Sequence, residues 1–279
     1  MSRSLQLAGV SRPAPFSPFT TPVPAPHTSR LGWHGRPTPE AQARLYLDLL
    51  AESDYAERLA PVVGSDYHDV LDIGAGNGAL TRRCLARPSC WLAIEPNAAM
   101  GEALAALRPA LAAQGVDLAH LPLRWEELPD ALVAETVFAF NLGATHHESG
   151  ALFDQLAGRC RREMIWVVPA QRGPSTFCLA GFLPPALHGA EMTPAYERTL
   201  ARLAAEQQPN GIDFVDWTCR LSFSSRAAAA EHFLERLDLH ADSAQGRAVL
   251  DYLDTHLAAD DAAVRITCVK RSAVLYWTF

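Results

Sequence analysis

An apolar segment that leads directly into a glycine-rich turn restricts the fold of this sequence more than any other feature. Residues 70–78 read Val-Leu-Asp-Ile-Gly-Ala-Gly-Asn-Gly. Glycine adopts backbone dihedrals that other residues avoid, and without a side chain it lets a ligand lie directly against the main chain. A helix is predicted for residues 79–86. Strand, turn and helix together predict the first unit of a doubly wound sheet, with a nucleotide-type ligand pocket at the turn.

The alternation of predicted strands and helices continues for about a hundred residues after this turn. The predicted strands are 69–73, 91–95, 117–123, 136–141 and 164–168, and the predicted helices are 79–86, 98–114 and 150–160, with a short helix or turn at 126–128. Parallel strands joined by crossover helices produce this pattern. We expect an α/β fold with a doubly wound, Rossmann-like sheet of about seven strands. The sheet should be mostly parallel, with an antiparallel last strand and helices on both faces.

The regions before and after this alternation have a different character. Residues 1–30 are rich in Pro, Ala, Ser and Thr and predict a flexible N-terminal arm. Leucines at helical spacing predict lid helices within 31–65. Residues 171–212 contain five prolines and one predicted helix, 194–207, which predicts a cap insertion after the fifth strand. The expected organisation is the arm followed by a single domain, 31–279.

The C-terminal part of the chain returns to regular elements. A strand is predicted at 214–223, helices at 225–237 and 244–257, and a terminal strand at 264–279. The last of these is the strand expected to run antiparallel.

Composition narrows the class of partner. The net charge is −7, whereas nucleic-acid binders usually concentrate Lys and Arg on one face. No uninterrupted apolar run approaches the roughly 18 residues that a membrane span needs. The six cysteines form no Cys-x-x-Cys pair, so neither a zinc knuckle nor a disulfide scaffold is indicated. We expect a cytoplasmic protein with no nucleic-acid or membrane partner, and the oligomeric state is left open.

A second acid follows the turn at the distance expected for a ribose ligand. Glu95 lies 17 residues after Gly78, where a carboxylate can accept hydrogen bonds from ribose hydroxyls in such folds. The glycines follow G-x-G-x-G spacing after Asp72, whereas pyrophosphate-binding dinucleotide sites favour G-x-G-x-x-G. A short-chain dehydrogenase would also need Tyr-x-x-x-Lys, but the only lysine, Lys270, has Ile266 at that position. The pattern therefore points away from NAD.

These motifs resemble those of the class I S-adenosylmethionine-dependent methyltransferases, particularly the small-molecule enzymes. Family members read D-x-G-x-G-x-G and then an acid that closes the second strand, and the resemblance covers about residues 66–170. It implies S-adenosyl-L-methionine as the cofactor. The residues implied to lie against its methionine part are Asp72, Gly74, Ala75 and Gly76, and Gly78 completes the cofactor-binding turn.

The resemblance assigns the adenosine part of the cofactor to two later segments. Glu95 would bind the ribose, assisted by Asn97. The family's third motif, usually G-D-A-E-E-L-P, corresponds to 123–129, with Arg124 in place of the adenine-facing acid. Trp125 would offer its backbone N–H to adenine and Glu126 would accept from the exocyclic amine. The alternative is that Trp125 belongs to the core and that Glu126 is an acid at the start of a helix.

The predicted fourth strand ends at Asn141 and is followed by two histidines. The family resemblance places Asn141 at the edge of the cofactor and a histidine beside the transferred methyl group. His146 or His147 could take a proton from a substrate O–H or N–H, since imidazole titrates near pH 6.5. Adjacent side chains cannot easily face one point, so at most one is a base, and orientation of a loop is the alternative for each. His146, His147 and Glu148 lack a distant partner pattern, so no metal is predicted.

The expected activity is methyl transfer to an O or N atom of a small molecule, with secondary metabolism as the setting. Displacement at a sulfonium methyl depends on alignment of the nucleophile and on exclusion of water. The cap insertion supplies candidate acceptor contacts, which could equally pack the cap itself. These are Phe177, Phe182, Leu183, His188, Met192 and Tyr196.

Two alternatives retain the same cofactor domain. One is a regulatory protein that binds the cofactor without catalysis. The other is a methyltransferase that acts on protein or nucleic acid, but the Asn/Asp-Pro-Pro-aromatic tetrapeptide of base-amino methyltransferases is missing, because Asn141 precedes Leu142 and Gly143. Clustered arginines at Arg159, Arg161 and Arg162 could form a basic cleft; we interpret them as a solvated helix end.

Overall fold

The computed structural model describes residues 47, 49–142, 148–172, 179–188, 193–237, 239–259 and 263–279. The strands are β1 (Tyr67–Ile73), β2 (Leu85–Ile94), β3 (Val116–Leu121), β4 (Ala134–Phe140), β5 (Cys160–Pro169), β6 (Gly211–Phe223), β7 (Ala258–Ala259) and β8 (Val264–Thr278). The helices are α1 (Tyr55–Val63), α2 (Thr81–Cys84), α3 (Ala98–Ala112), α4 (Ser149–Ala157), α5 (Pro185–His188), α6 (Ala195–Leu200), α7 (Arg226–Leu237) and α8 (Ala244–His256). Short 3₁₀ helices span Trp125–Glu127 and Ala205–Gln207.

The strands form one sheet in the order β3-β2-β1-β4-β5-β8-β6, with β7 paired to β8. Strands β1 to β5 are mutually parallel, and β8 runs antiparallel to both β5 and β6. This topology confirms the predicted fold: a mostly parallel, Rossmann-like sheet with an antiparallel last strand. The carboxyl ends of β1, β2 and β4 meet at one edge, where ligands bind in such sheets.

Each face of the sheet is buried by its own apolar cluster. Side chains alternate between the faces along a strand, so Val70 joins one cluster while Leu71 joins the other. Helices α1 and α3 contribute to the first cluster and α4 to the second. Because both faces are covered, the central strands read as continuous apolar runs rather than as alternating ones.

Two predicted helices differ from the structure. The helix predicted at 79–86 is wrong beyond one turn, because β2 already begins at Leu85 and Pro88 has no N–H with which to continue a helix. The helix predicted at 194–207 is interrupted between α6 and the second 3₁₀ helix. There the side-chain amide of Gln208 donates to the carbonyls of Leu200 and Leu203 at 3.0 and 2.9 Å. These carbonyls are thereby satisfied without a continuous helix.

Strands β6 and β8 extend past the end of β5. Pro169 at the end of β5 pairs with Ser272, and Ser272 pairs with Val215. Residues 216–223 and 264–271 therefore form an antiparallel extension beyond the carboxyl edge, which we call the ribbon, and β7 pairs with its far end. Helices α7 and α8 bury one face of the ribbon.

Part of the predicted cap insertion belongs to the core beneath the ribbon. Phe182 and Leu183 are 4% and 2% exposed and join the same cluster as α7 and α8. The buried ammonium of Lys270 donates to the carbonyl of Ala180 and lies 4.8 Å from the centre of the Phe182 ring. Packing, the alternative weighed for these apolar residues, therefore accounts for Phe182 and Leu183.

Of the other candidate acceptor contacts in the insertion, the structure describes the side chain of Tyr196 alone. Tyr196 packs edge-on against Phe214, with ring centres 5.1 Å apart. Phe177 and Met192 lie outside the described residues, as does the side chain of His188. Within the described ranges, no helix is both long and apolar enough to cross a lipid bilayer.

Arg159 corrects one expectation about the arginine cluster. Its side chain is not solvated: the residue is 4% exposed, and its guanidinium donates to the carbonyls of Leu128 at 2.7 Å and Gln155 at 3.0 Å. Arg161 and Arg162 are exposed, as expected. Arg159 thus connects the end of α4 to the segment before β4, and it is not part of a basic surface.

Replacing Arg159 by alanine should lower the free energy of unfolding by about 3 kcal/mol, because the buried carbonyl of Leu128 would lose its partner. Urea unfolding followed by circular dichroism measures the change. Arg161→Ala is the matched control, and as an exposed arginine it should cost no more than about 0.5 kcal/mol. Equal losses in the two variants would contradict a structural role for Arg159.

Candidate functional site

The glycine turn after β1 is built from left-handed backbone. Gly74, Gly76 and Gly78 have φ values of 72°, 55° and 69°. The backbone N–H groups of Gly74 and Ala75 both donate to the carbonyl of Ile94, at 2.9 and 3.0 Å. The turn is thereby attached to the carboxyl end of β2, and its conformation strongly favours glycine at all three positions.

The three glycines have different surroundings. A Cβ at Gly74 would collide with the side chain of Leu142, and one at Gly78 would collide with the Trp91 ring. A Cβ at Gly76 would meet no atom within 4 Å. Gly74 and Gly78 are therefore required by packing, whereas Gly76 presents bare backbone to open space. This is the point of the turn that a ligand can approach.

Glu95 joins the end of β2 to this exposed part of the turn. Its carboxylate accepts from the N–H of Gly76 at 2.9 Å and from the N–H of Asn97 at 2.8 Å. Burial raises the Glu95 pKa, and the two N–H donors oppose this rise. Each carboxylate oxygen has two acceptor sites, so both oxygens can still accept from hydroxyl groups. The side-chain oxygen of Asn97 caps α3 by accepting from the N–H of Met100 at 3.1 Å.

Asp72 lies fully buried at the base of the turn. One of its oxygens accepts from the hydroxyl of Thr81 at 2.6 Å, and the other has no hydrogen-bond partner. Burial is the main cause that raises the Asp72 pKa, to about 7, and the nearby Glu95 adds to it. The Thr81 hydroxyl and the Trp91 indole favour the charged form, although the indole N–H itself makes no hydrogen bond. Asp72 is thus an acid with spare acceptor capacity beside the turn.

The end of β4 faces the turn from the neighbouring strand. Asn141 has a φ of 54°, the one described non-glycine residue with positive φ. Its backbone N–H donates to the carbonyl of Val167 at 2.9 Å, and the next residue, Leu142, is the one that lies over Gly74. Its side-chain amide donates to the hydroxyl of Tyr55 at 2.5 Å. Tyr55 therefore belongs to this end of the sheet.

The segment expected near adenine is partly occupied by internal contacts. Trp125 is half-buried against the second apolar cluster. Glu126 is exposed, and its carboxylate pairs with the Arg124 guanidinium at 3.1 Å. The backbone N–H of Arg124 donates to Glu127 at 3.0 Å. The arginine that departs from the family motif is thus the partner of the expected adenine ligand.

The structure brings most of the predicted cofactor residues together. The turn, Glu95 and Asn97 are directly connected, Asp72 lies beneath the turn, and Asn141 adjoins it through Leu142. His146 and His147 lie outside the described residues. Among the residues that are described, no three His, Cys, Asp or Glu side chains gather as a metal site would require.

Three residues near the turn were missed by the sequence prediction. Thr81 donates to Asp72, and Tyr55 accepts from Asn141. The ring of His120 is hydrogen-bonded to the Glu95 carbonyl at 2.9 Å. No local pattern marks them. Only the position of Thr81, shortly after the glycines, gives a signal, since an acid buried in β1 needs a nearby donor.

An open groove of about 530 Å³ lies between residues 51–57 and the ribbon, and no turn residue lines it. Its acids have internal partners: Glu52 binds the Ser222 hydroxyl, Asp54 binds the Thr218 N–H, and Glu57 binds an arginine. The glycine turn, where the unusual backbone and the buried acids meet, is the better candidate site.

No protein-family model matches the chain, and no curated protein matches it. Solved structures that match it include methyltransferases. Magnesium protoporphyrin IX methyltransferase from Synechocystis, with bound S-adenosylhomocysteine, is 11% identical, with a TM-score of 0.41 over 85% of this chain and 87% of that one. Geranyl diphosphate methyltransferase, in complex with GPP and sinefungin, is 12% identical, with a TM-score of 0.42 over 80% and 77%. Precorrin-6y C5,15-methyltransferase from Geobacter metallireducens is 13% identical, with a TM-score of 0.36 over 79% and 87%. Similarity of this degree does not transfer a function.

Replacing Asp72 by asparagine should change how stability depends on pH. The pKa of Asp72 is about 7 in the folded chain, against an ordinary value of 3.8. Between these values the folded state keeps a proton that the unfolded state releases, so the free energy of unfolding falls as pH rises. From pH 5 to pH 7 the wild type should lose about 2 kcal/mol from this residue alone, and D72N should not.

Urea unfolding at pH 5 and pH 7 measures the difference. Asp117 is exposed, so D117N serves as the control and should follow the wild type at both pH values. If D72N also follows the wild type, Asp72 is already charged in the folded chain at pH 5.

Proposed function

We propose that the chain is an S-adenosyl-L-methionine-dependent methyltransferase that methylates an O or N atom of a small molecule. The observation that carries the proposal is the pairing of Gly76 with Glu95. Bare left-handed backbone faces open space at Gly76, and the carboxylate that binds its N–H ends the adjacent strand. This combination suits a ligand with a ribose and a compact polar group, bound across the ends of β1 and β2.

The residues present fit this cofactor. The open position at Gly76 leaves room against the main chain, and the unpartnered oxygen of buried Asp72 can accept from a ligand donor. Glu95, supported by Asn97, would bind the ribose, and Gly74 to Gly76 would lie against the methionine part. Trp125, Glu126 and Asn141 would complete the contacts. When bound, the cofactor supplies an electrophilic methyl group on a sulfonium sulfur.

The chain's own contribution to such a reaction is orientation and exclusion of water. The residue before helix α1, Asp54, is hydrogen-bonded to the ribbon, which extends beyond the carboxyl edge, and this favours a partly enclosed site. The proposed organisation is a single domain, 31–279, and the predicted arm 1–30 lies outside the described residues. His146 or His147 would take the proton from the acceptor. The net charge of −7 favours a small molecule over nucleic acid as the acceptor, with secondary metabolism as the proposed setting.

Calorimetry with the full chain tests the cofactor. S-adenosylmethionine and S-adenosylhomocysteine should bind with roughly micromolar affinity, and NADH and NADPH should not bind. G76R should abolish binding of the first pair, because the new side chain fills the open space at the turn. G115R is the matched control: Gly115 also has positive φ, at 79°, but it precedes β3 at the opposite edge of the sheet.

The outcomes separate the alternatives. Binding that is lost in G76R and kept in G115R supports the cofactor and justifies a screen of small-molecule acceptors. A preference for NADPH would overturn the methyltransferase proposal. Cofactor binding with no acceptor turned over, small or macromolecular, would favour a regulatory protein.

The histidine role is tested on the acceptor that such a screen finds. H146Q or H147Q should lower kcat by about 10² to 10⁴ and remove the limb of the pH–rate profile near pH 6.5, while S-adenosylhomocysteine affinity stays unchanged. H68Q is the control, since His68 is exposed and bonds the Pro88 carbonyl. Full activity in both H146Q and H147Q would leave orientation of a loop as the only role.

A further inference from the structure

The hydrogen bond between Tyr55 and Asn141 joins residues 86 positions apart in the sequence. The Asn141 amide nitrogen donates to the phenol oxygen at 2.5 Å. Both residues are buried, with 4% and 8% of their surfaces exposed. A buried donor that loses its partner costs more free energy than an average hydrogen bond contributes, so this contact restricts where the Asn141 side chain can lie.

Asn141 determines what lies over the glycine turn. At φ 54° it adopts a conformation that asparagine tolerates better than most residues, yet at some cost. The reversal of direction that this creates brings Leu142 against Gly74. A change in the Asn141 conformation would therefore move Leu142, and with it one wall of the turn.

Tyr55 is itself held rigidly. Its ring packs edge-on against Trp217, with centres 5.0 Å apart and planes at 73°, and the Trp217 indole donates to the Ser272 hydroxyl at 3.1 Å. The preceding residue, Asp54, exchanges two hydrogen bonds with Thr218, one from each backbone N–H. The Tyr55 ring is thus held by β6 of the ribbon, independently of its bond to Asn141.

We propose that Tyr55 is a positioning residue of the cofactor site: its hydroxyl holds the Asn141 side chain, and thereby the left-handed turn that places Leu142 over Gly74. The proposal rests on the proposed function, because the cofactor is what this turn would receive. It makes the start of helix α1 and the ribbon part of the binding site, although neither belongs to the motifs found in the sequence.

Removal of the hydroxyl tests the proposal while leaving the ring packed on Trp217. Y55F should weaken binding of S-adenosylhomocysteine about tenfold by calorimetry. Y67F is the matched control. The Tyr67 hydroxyl donates to the Val63 carbonyl at 2.6 Å at the other end of α1, so Y67F loses a comparable bond but should keep the affinity of the wild type.

A double-mutant cycle separates positioning from general destabilisation. N141G tolerates the positive φ but lacks the amide, and with it the cofactor contact proposed for Asn141, so it should weaken binding at least as much as Y55F. The double variant Y55F/N141G should bind no more weakly than N141G alone, because without the amide the Tyr55 hydroxyl has no Asn141 side chain to hold. Equal weakening by Y55F and Y67F, wild-type affinity in Y55F, or multiplied effects in the double variant would each overturn the proposal.

A second readout does not need the cofactor. The Asn141 backbone N–H, bonded to Val167, should exchange with solvent deuterium faster in Y55F than in the wild type or in Y67F. If the wild type fails to bind S-adenosylhomocysteine, the proposed function is overturned. The exchange rate then still decides whether Tyr55 holds the turn, and unchanged exchange in Y55F would reject that as well.

Discussion

The hydrogen bonds between the glycine turn and the end of β2 are the constraint on which the rest of the site depends. The Ile94 carbonyl accepts two of the turn's N–H groups, and Glu95 accepts the next one, from Gly76. Beyond the point where β1 and β2 stop pairing through their backbones, the Glu95 side chain thus supplies the next hydrogen-bond acceptor for the turn. Because the turn is fixed in this way, Gly74 can receive Leu142, and Gly76 is left as the open position. The open position at Gly76 follows from these few bonds.

The two acids at the turn are buried at some cost in folding free energy. Asp72 and Glu95 are both buried, burial raises both of their pKa values, and the two charges repel. One oxygen of Asp72 has no donor, and buried polar atoms without partners are uncommon. Perturbed pKa values of this kind concentrate at functional sites. The local cost is therefore itself a reason to look for function at this turn.

The sequence predicted the parts of the structure that have local signals. Continuous apolar runs identified β1 and β4, and glycine spacing identified the turn, because backbone freedom is a property of the residue itself. The expectations that failed and the contacts that were missed depend on tertiary structure. Arg159 resembles a surface residue until α4 brings it to the Leu128 carbonyl, and Tyr55 has no local reason to meet Asn141. The helix predicted at 79–86 failed because strand pairing along β2 overrode a weak helical pattern.

The departure at Arg124 is compatible with an adenine contact at Glu126. The ion pair between these side chains is at the surface, where Arg124 and Glu126 retain 24% and 39% side-chain exposure. Exposed pairs contribute about 0 to 1 kcal/mol, so exchanging the arginine for a ligand amine costs little. In the structure the pair holds the Glu126 carboxylate against the Arg124 guanidinium. An arginine where the family carries an acid therefore changes how this segment is held, without removing the acceptor that the segment offers.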